Sequence, residues 1–241
     1  MSNLFSKPDY DMTAGLSHMA AMPHYTNWVM SFFLPSLHGK IIEIGAGIGT
    51  YIPHYLSVAS SVSVLEPNTM FASEIRKTYP DVAVIEVPIE ELAVNDVGLF
   101  DAVICINSLE HFADDSDVVR RLSSLLVVGG RLCIYVPARP ELFSEWDRSV
   151  GHYRRYTKAS LRAIIADANL TIRCLRYTDL LGGLGWYISG CLNVTPAKKE
   201  ISISTFMKLF DGICVPLQRL VERRIPMFWG KTLVCIAERV S

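Results

Sequence analysis

The sequence predicts an α/β protein built on an open, doubly wound sheet, and three observations carry that expectation. Short apolar runs alternate with stretches of helical periodicity, the order that lays strands side by side with crossover helices between them. The run Phe100–Ile106 is apolar at all but one position, as a parallel strand buried on both faces should be. The run Ile41-Ile42-Glu43-Ile44 stops at three alternating glycines, Gly45, Gly47 and Gly49, and a helix-like pattern follows, which reads as strand, tight turn and helix N-terminus.

At 241 residues the chain suits a single domain, 1–241, carrying an insertion. Half of it is apolar and its mean hydropathy is positive. A net charge of −1 gives no electrostatic footprint for a nucleic-acid partner. No apolar run reaches the roughly 18 residues of a membrane span. The N-terminus lacks a charged-then-apolar signal pattern. The six cysteines are scattered without a C-x-x-C pair, and Cys105, Cys133, Cys174 and Cys235 fall in strand-like runs. Buried reduced thiols in a cytosolic protein explain them better than a metal site or a disulfide framework.

In chain order, residues 1–15 read as a loose polar arm. A helical pattern follows from Leu16 to Leu37, with Tyr25, Trp28, Val29, Phe32 and Phe33 forming a stripe, and Pro35 and Gly39 ending it. It suits either a helix packed on the sheet or a lid with Tyr25 and Trp28 facing a pocket; residues 1–38 are the expected arm and lid. Beyond the glycines, Thr50–Ala59 reads as the first crossover helix, with Pro53 tolerated in its first turn. Ser61–Glu66 is a second strand ending in an acid, Thr69–Tyr79 a helix capped by Asn68 or Thr69, and Val82–Val87 a third strand. After the strand at Phe100–Ile106, Ser116–Leu126 is helical, Gly129-Gly130 ends it, and Arg131–Val136 is the fifth strand. Lys158–Ala168 is a further helix, and Thr171–Tyr177 and Thr232–Glu238 are the last two strands.

Residues 179–230 form an apolar helical insertion before the last strand. Its first part, Leu180–Ile188, is apolar and glycine-rich. Its second, Thr205–Arg224, sets Phe206, Leu209, Phe210, Ile213, Leu217, Leu220 and Val221 near one face, with most cations off it and a kink expected at Pro216. A lid, a greasy substrate pocket, a membrane-surface helix and a dimer face all suit this pattern.

Glycines let the main chain take φ > 0 and let a ligand approach without meeting a Cβ. The helix start beyond them offers unpaired N–H groups and a partial positive charge. A dinucleotide turn reads G-x-G-x-x-G, whereas here the third glycine comes one residue early, at Gly49, and Thr50 stands where Gly or Ala belongs. Glu66 lies about 20 residues past the turn, where the βαβ unit places an acid on ribose hydroxyls, and a carboxylate accepts both hydrogen bonds of a vicinal diol.

The E-x-G-x-G-x-G spelling from Glu43 to Gly49 resembles motif I of the class I S-adenosylmethionine (SAM) dependent methyltransferases. Motif I, the acid Glu66, the segment from Phe100-Asp101 to His111, and the Gly129-Gly130-Arg131-Leu132 turn come in that family's order and spacing over about Tyr25 to Ala168. The chain is identified as similar to its small-molecule, ubiquinone-biosynthesis-like group. The resemblance implies a Rossmann-like doubly wound seven-stranded sheet of order 3-2-1-4-5-7-6, the last strand antiparallel. It implies SAM as cofactor and S-adenosylhomocysteine as product, with Gly45, Ala46, Gly47 and Gly49 beside the methionine part and Glu43 orienting the loop and the ligand's amino group. Glu66, Pro67, Asn107, Tyr25 and Trp28 join the expected cofactor set. Many relatives carry an Asp at the position of Pro88, so adenine would rest on backbone groups there and on apolar contact from Ile89 or Met70.

Gly151-His152-Tyr153-Arg154-Arg155-Tyr156 resembles a G-H-Y-R-R-Y segment of some bacterial methyltransferases, and it follows strand five on the carboxyl edge, where ligands bind. Arg154 and Arg155 suit a bidentate hold on a carboxylate or phosphate, or else pair with Asp147 and Glu145 at the surface. Methyl transfer from a sulfonium is an in-line displacement in which the protein positions the acceptor and excludes water. An O- or C-acceptor also loses a proton, and His111 and His152 have the pKa range of a base. His111, His152 and Tyr153 are therefore the expected catalytic residues, and Arg154, Arg155, Tyr156 and Trp186 the expected acceptor contacts. The E-x-x-E-H metal frame of some RNA-modifying relatives reads Asn107-Ser108-Leu109-Glu110-His111 here, without the first Glu, so no metal is expected.

The expected function is methyl transfer to an O, N or C atom of a small, partly hydrophobic molecule in the cytoplasm. Residues 180–225 would supply a peripheral membrane contact or a homodimer face. The alternative is a catalytically silent SAM-binding fold acting as a scaffold through its insertion. An NAD-dependent oxidoreductase is disfavoured by the spelling at Gly49 and Thr50.

Overall fold

The computed structural model describes residues 12–92, 94–184, 203–222, 224–225 and 227–240. Trp186 and most of the expected N-terminal arm lie outside them. Seven strands, β1 (Gly39–Ile44), β2 (Ala59–Leu65), β3 (Ala83–Ile85), β4 (Phe100–Ile106), β5 (Leu126–Pro137), β6 (Leu170–Thr178) and β7 (Thr232–Arg239), form one sheet in the order β3-β2-β1-β4-β5-β7-β6. Strands β1 to β5 pair in parallel, and β7 runs antiparallel between β5 and β6. This is the Rossmann-like topology that the resemblance implies.

The strands are apolar on both faces because each face has its own core. Side chains alternate across a strand. Ile42, Ile44, Val103, Cys105, Leu132 and Ile134 pack to one side with Val118 and Leu122 of α6 (Asp115–Ser124) and Leu161 and Ile165 of α8 (Lys158–Asp167). Ile41, Ala102, Ile104, Cys133 and Tyr135 pack to the other with α2 (Pro23–Phe33), α3 (Ile52–Tyr55) and α4 (Thr69–Thr78).

Several boundaries differ from the sequence expectation, each for a local reason. The helix expected from Leu16 to Leu37 is two helices, α1 (Met12–Ala20) and α2, followed by a 3₁₀ turn at Leu34–Ser36. Pro23 has no N–H to continue a helix and disfavours helical backbone at Met22, whose φ and ψ are −114° and 74°. Trp28 is 1% exposed and Tyr25 8%, so α2 is a core helix and neither ring is a lid face. The first crossover helix is only the single turn α3, and β2 begins at Ala59. Strand β5 begins at Leu126, so Gly129-Gly130 interrupts a strand and does not end a helix. The pairing with β4 slips there, from Phe100↔Leu126 to Ala102↔Arg131, as glycines in a strand permit.

The insertion returns as α9 (Ile203–Leu209), a π-helical turn (Phe210–Cys214) and α10 (Val215–Glu222). The wide turn contains Gly212, four residues before Pro216, whose ring would clash with the Gly212 carbonyl in a regular helix. It also aims Asp211 at α2, where its carboxylate accepts from the backbone N–H of His24 (3.1 Å) and Tyr25 (2.8 Å). A buried carboxylate thus caps a helix N-terminus that has no cap from its own chain segment. At the far end, Thr178 and the N–H of Leu180 donate to Glu222, and the N–H of Leu181 donates to Gln218.

Candidate functional site

The carboxyl ends of β1 and β2 meet at the glycine turn. Gly45 and Gly47 have φ of +69° and +56°, which other residues rarely adopt. A Cβ on Gly45 would lie 2.5 Å from Ser108 Oγ, so the turn presses against the loop leaving β4. Gly47 N–H donates to Glu66 Oε2 (2.7 Å) and Asn68 N–H donates to Oε1 (2.9 Å). Glu66 therefore latches the turn to the start of α4, whose cap is Asn68 and not Thr69. Burial raises the Glu66 pKa, and the two backbone bonds oppose that rise. Each carboxylate oxygen keeps acceptor capacity beyond its one backbone partner.

Glu43 lies one strand inward and is buried, with Tyr55 Oη donating to its Oε2 at 2.5 Å. Burial pushes its pKa up to about 7, against the pull of the Tyr55 bond and with a smaller push from Glu66. Cover over the turn comes from α1. A Cβ on Gly47 would meet Leu16 at 3.3 Å, and Tyr51 Oη reaches Met19 Sδ at 3.5 Å. The helix over the glycines is thus the one before the expected Tyr25–Trp28 stripe.

Of the other expected cofactor residues, Ala46 is buried beneath the turn, Pro67 is half-buried beside Glu66, and Pro88 is exposed ahead of a 3₁₀ turn at Ile89–Glu91. Ile89 is 1% exposed within the core and Met70 is 63% exposed, so Ile89 is not an open adenine contact. Asn107 ends β4 with φ +46°, and its N–H donates to the Tyr135 carbonyl at 2.8 Å. Asn tolerates that left-handed conformation, which turns the chain into Ser108 and the 3₁₀ turn Leu109–His111.

A second cluster forms at the ends of β4 and β5. Ser144 opens the short helix α7 (Glu145–Ser149) with a capping box whose other member is Asp147. Asp147 is fully buried. It takes His152 Nδ1 and Arg155 Nε on Oδ1, both at 2.9 Å, and Arg155 and Ser144 on Oδ2. Burial pushes its pKa up, but the bonds from His152 and Arg155 outweigh it and hold the carboxyl at about 2. His152 then presents Nε2 at 3.8 Å from Glu110 Oε1, with the His111 ring edge-on at 4.8 Å. Glu110 is wholly buried, and neither carboxylate oxygen has a hydrogen-bond partner among the described residues. Burial pushes Glu110 up to about 7 and, with His152 beside it, holds His111 down at about 4.

Glu110, His111 and His152 offer one ligand atom each, all within 4.8 Å of one another. Two imidazoles and a carboxylate suit a divalent transition ion. The expectation of no metal rested on the missing first Glu of a contiguous frame; the structure supplies a third donor from a loop 41 residues further on.

Other acceptor assignments need correction. Arg155 is spent on Asp147, and Arg154 pairs with Asp115 at 2.8 Å. Tyr156 is 1% exposed and donates to Asp115 Oδ2 at 2.8 Å. These three brace the loop, as fits residues whose partners are fixed protein acids. Tyr153 is 52% exposed, and its backbone N–H donates to the Glu110 carbonyl. Asp147 was read from sequence only as a surface partner of the arginines and not as a site residue. The legible signal was the Ser144-x-x-Asp147 capping box a few residues before His152.

A glycine turn clasped by an acid from the next strand, on a sheet of this order, defines the class I SAM-dependent methyltransferase fold. Residues 22–175 match the methyltransferase-domain family, and the chain belongs to it. It is similar to the ubiquinone biosynthesis O-methyltransferase of Xanthomonas oryzae pv. oryzae (strain PXO99A), 26% identical over 151 residues, which are 55% of this chain and 63% of that protein. The protein of that name from Xanthomonas axonopodis pv. citri (strain 306) is 28% identical over 98 residues, 39% of this chain and 41% of the relative. The chain therefore matches less than two thirds of the length of these relatives. Among solved structures, the N-methyltransferase NodS from Bradyrhizobium japonicum WM9, in complex with S-adenosylhomocysteine, superposes with a TM-score of 0.58 at 11% identity, over 91% of this chain and 87% of that one. A SAM-dependent methyltransferase from Clostridium acetobutylicum ATCC 824 gives 0.61 at 9% identity, over 96% and 100%. These two are likenesses of fold.

Proposed function

We propose that the chain binds SAM over Gly45–Gly49 and transfers its methyl group to a small acceptor with an apolar body. The carrying observation is the Glu66 latch, which sets a carboxylate with spare acceptor capacity beside main chain free of side chains. Glu66 takes the ribose diol, Gly45, Ala46, Gly47 and Gly49 accommodate the methionine part, and Pro67 and Asn107 flank them. The acceptor enters over β4 and β5. In the transfer the acceptor atom forms a bond to the methyl carbon as the carbon–sulfur bond breaks, leaving S-adenosylhomocysteine. The acceptor's proton passes to His152 Nε2, while Asp147 fixes the ring through Nδ1 and stabilises the imidazolium. The relatives' O-methyltransferase name makes a hydroxyl the first acceptor to test.

One observation favours a second reading of the same cluster. Glu110 is a buried carboxylate with no hydrogen-bond partner among the described residues, which is costly unless something cationic joins it. A divalent ion held by Glu110, His111 and His152 would polarise the acceptor hydroxyl and ease its deprotonation. The exposed apolar residues of the insertion suit a peripheral contact, with a bilayer or with a second copy of the chain.

The test is transfer of labelled methyl from SAM to hydroxylated aromatics carrying apolar tails, with and without a chelator. Labelled product is expected. His152→Ala is expected to lower turnover about a hundredfold or more while leaving S-adenosylhomocysteine affinity intact. Chelator sensitivity restored by divalent ions selects the metal reading; insensitivity selects the His152 base. Cofactor binding with no transfer to any acceptor would favour the silent scaffold.

A further inference from the structure

We infer that the insertion carries a docking surface for an anionic membrane, formed by α9, the π turn, α10 and the described residues just beyond it, 224–225 and 227–228. Leu209, Ile213, Leu217 and Leu220 recur at helical spacing, and all four are more than half exposed, at 51–62%. Beyond α10, Ile225 and Phe228 are exposed as well, Phe228 at 88%. A contiguous apolar stripe of this kind on the surface marks an interaction site, where scattered single residues would not.

The charges around the stripe are sorted by sign. The two acids of the helix, Asp211 and Glu222, are buried and committed to the α2 cap and to Thr178 and Leu180. The exposed charges described on this segment, Lys208, Arg219 and Arg224, are all cationic. Beside the stripe lie two surface cavities of about 290 and 340 Å³. Arg176 and Arg219 line the first; Lys158, Arg176 and Arg224 line the second. Glu222 reaches both, with its carboxylate taken up by Thr178 and the N–H of Leu180. Arg219, Arg224 and Lys158 make no ion pair among the described residues.

Apolar side chains flanked by unpaired cations match a bilayer surface, with acyl chains meeting the stripe and headgroup phosphates meeting the cations. No described helix is long and apolar enough to cross a membrane, so the helix would lie in the interface. A second copy fits less well, because a two-fold contact through this face would bring like cations together. The proposal deepens the contact reading of the insertion given above and is independent of cofactor binding.

The test is flotation of the full chain with vesicles of phosphatidylcholine, or of phosphatidylcholine with phosphatidylglycerol, at low and high salt. Binding is expected to the anionic vesicles alone, weakened by salt. Arg219→Gln with Arg224→Gln should weaken it about thirtyfold, from roughly a fivefold effect per cation at an anionic surface. Ile213→Asp with Leu217→Asp should abolish it. Both double variants should keep the parent's thermal unfolding and S-adenosylhomocysteine affinity, since these positions are exposed. Absent binding, or equal binding to both vesicle types, overturns the proposal. A dimer in light scattering that Ile213→Asp splits, with no vesicle binding, assigns the face to a second copy. Vesicle binding without S-adenosylhomocysteine binding overturns the cofactor reading alone.

Discussion

Glu43 and Glu66 are acids at the ends of neighbouring strands, and their surroundings give them different work. Glu66 is satisfied by two backbone N–H groups and holds the turn closed. Glu43 is sealed under Tyr55, and burial pushes its pKa from the 4.5 of an ordinary glutamate to about 7. The folded chain therefore holds the Glu43 proton more tightly than the unfolded chain. Its contribution to stability is fully present below about pH 4.5 and is lost as pH rises through about 7. Glu43→Gln lacks this loss. Relative to the parent, its stability in urea unfolding should improve between pH 4.5 and 8 by up to roughly 3 kcal/mol. A difference that does not change with pH would mean that Glu43 is not a buried, proton-holding acid. Both acids were legible in the sequence because the glycine spacing and the interval to Glu66 are local patterns. The commitments of Arg155, Arg154 and Tyr156 were not, because their partners Asp147 and Asp115 are set by the tertiary fold.

Among the elements, α2 and α10 form a pair that sequence periodicity describes only separately. The apolar stripe from Tyr25 to Phe33 was visible, and so was its ambiguity between core helix and lid. Packing settles it: the stripe meets Ile41, Ile104 and Tyr135 of the sheet, and Tyr25 Oη bonds Tyr135 Oη at 3.0 Å. Asp211, 186 residues away, then caps the helix from across the fold. Asp211→Ala should cost about 1 kcal/mol, as for loss of an ordinary N-cap, read as a shift in the urea midpoint with an unchanged slope. No change in midpoint would mean that the insertion is not anchored through this carboxylate. The single-turn α3 and the strand placement of Gly129-Gly130 escaped the sequence because helix length and register depend on neighbouring strands.

At the scale of the whole molecule, strand order decides which residues can act together. Because β1 lies between β2 and β4, the glycine turn receives Glu66 from one side and Ser108 from the other. Three residues beyond Ser108 the chain reaches His111, and the loop after β5 brings His152 to it, so the cofactor turn and the histidine cluster share one edge of the sheet. Strand order read from the sequence already put Glu110-His111 and the His152 loop on one edge; that the carboxylate and the two imidazoles come within 4.8 Å of one another, across 41 residues of chain, is set by the tertiary fold.

The central claim is that this edge holds SAM. Titration calorimetry of the purified chain with S-adenosylhomocysteine and with NAD tests it most directly. The account predicts saturable binding of S-adenosylhomocysteine and none of NAD. Binding should weaken about tenfold or more in Glu66→Ala, from loss of a charge-assisted acceptor. It should be lost in Gly47→Val, which forces a branched side chain onto a left-handed residue beneath Leu16. Binding of NAD alone, or S-adenosylhomocysteine affinity unchanged in folded Glu66→Ala and Gly47→Val proteins, would contradict it.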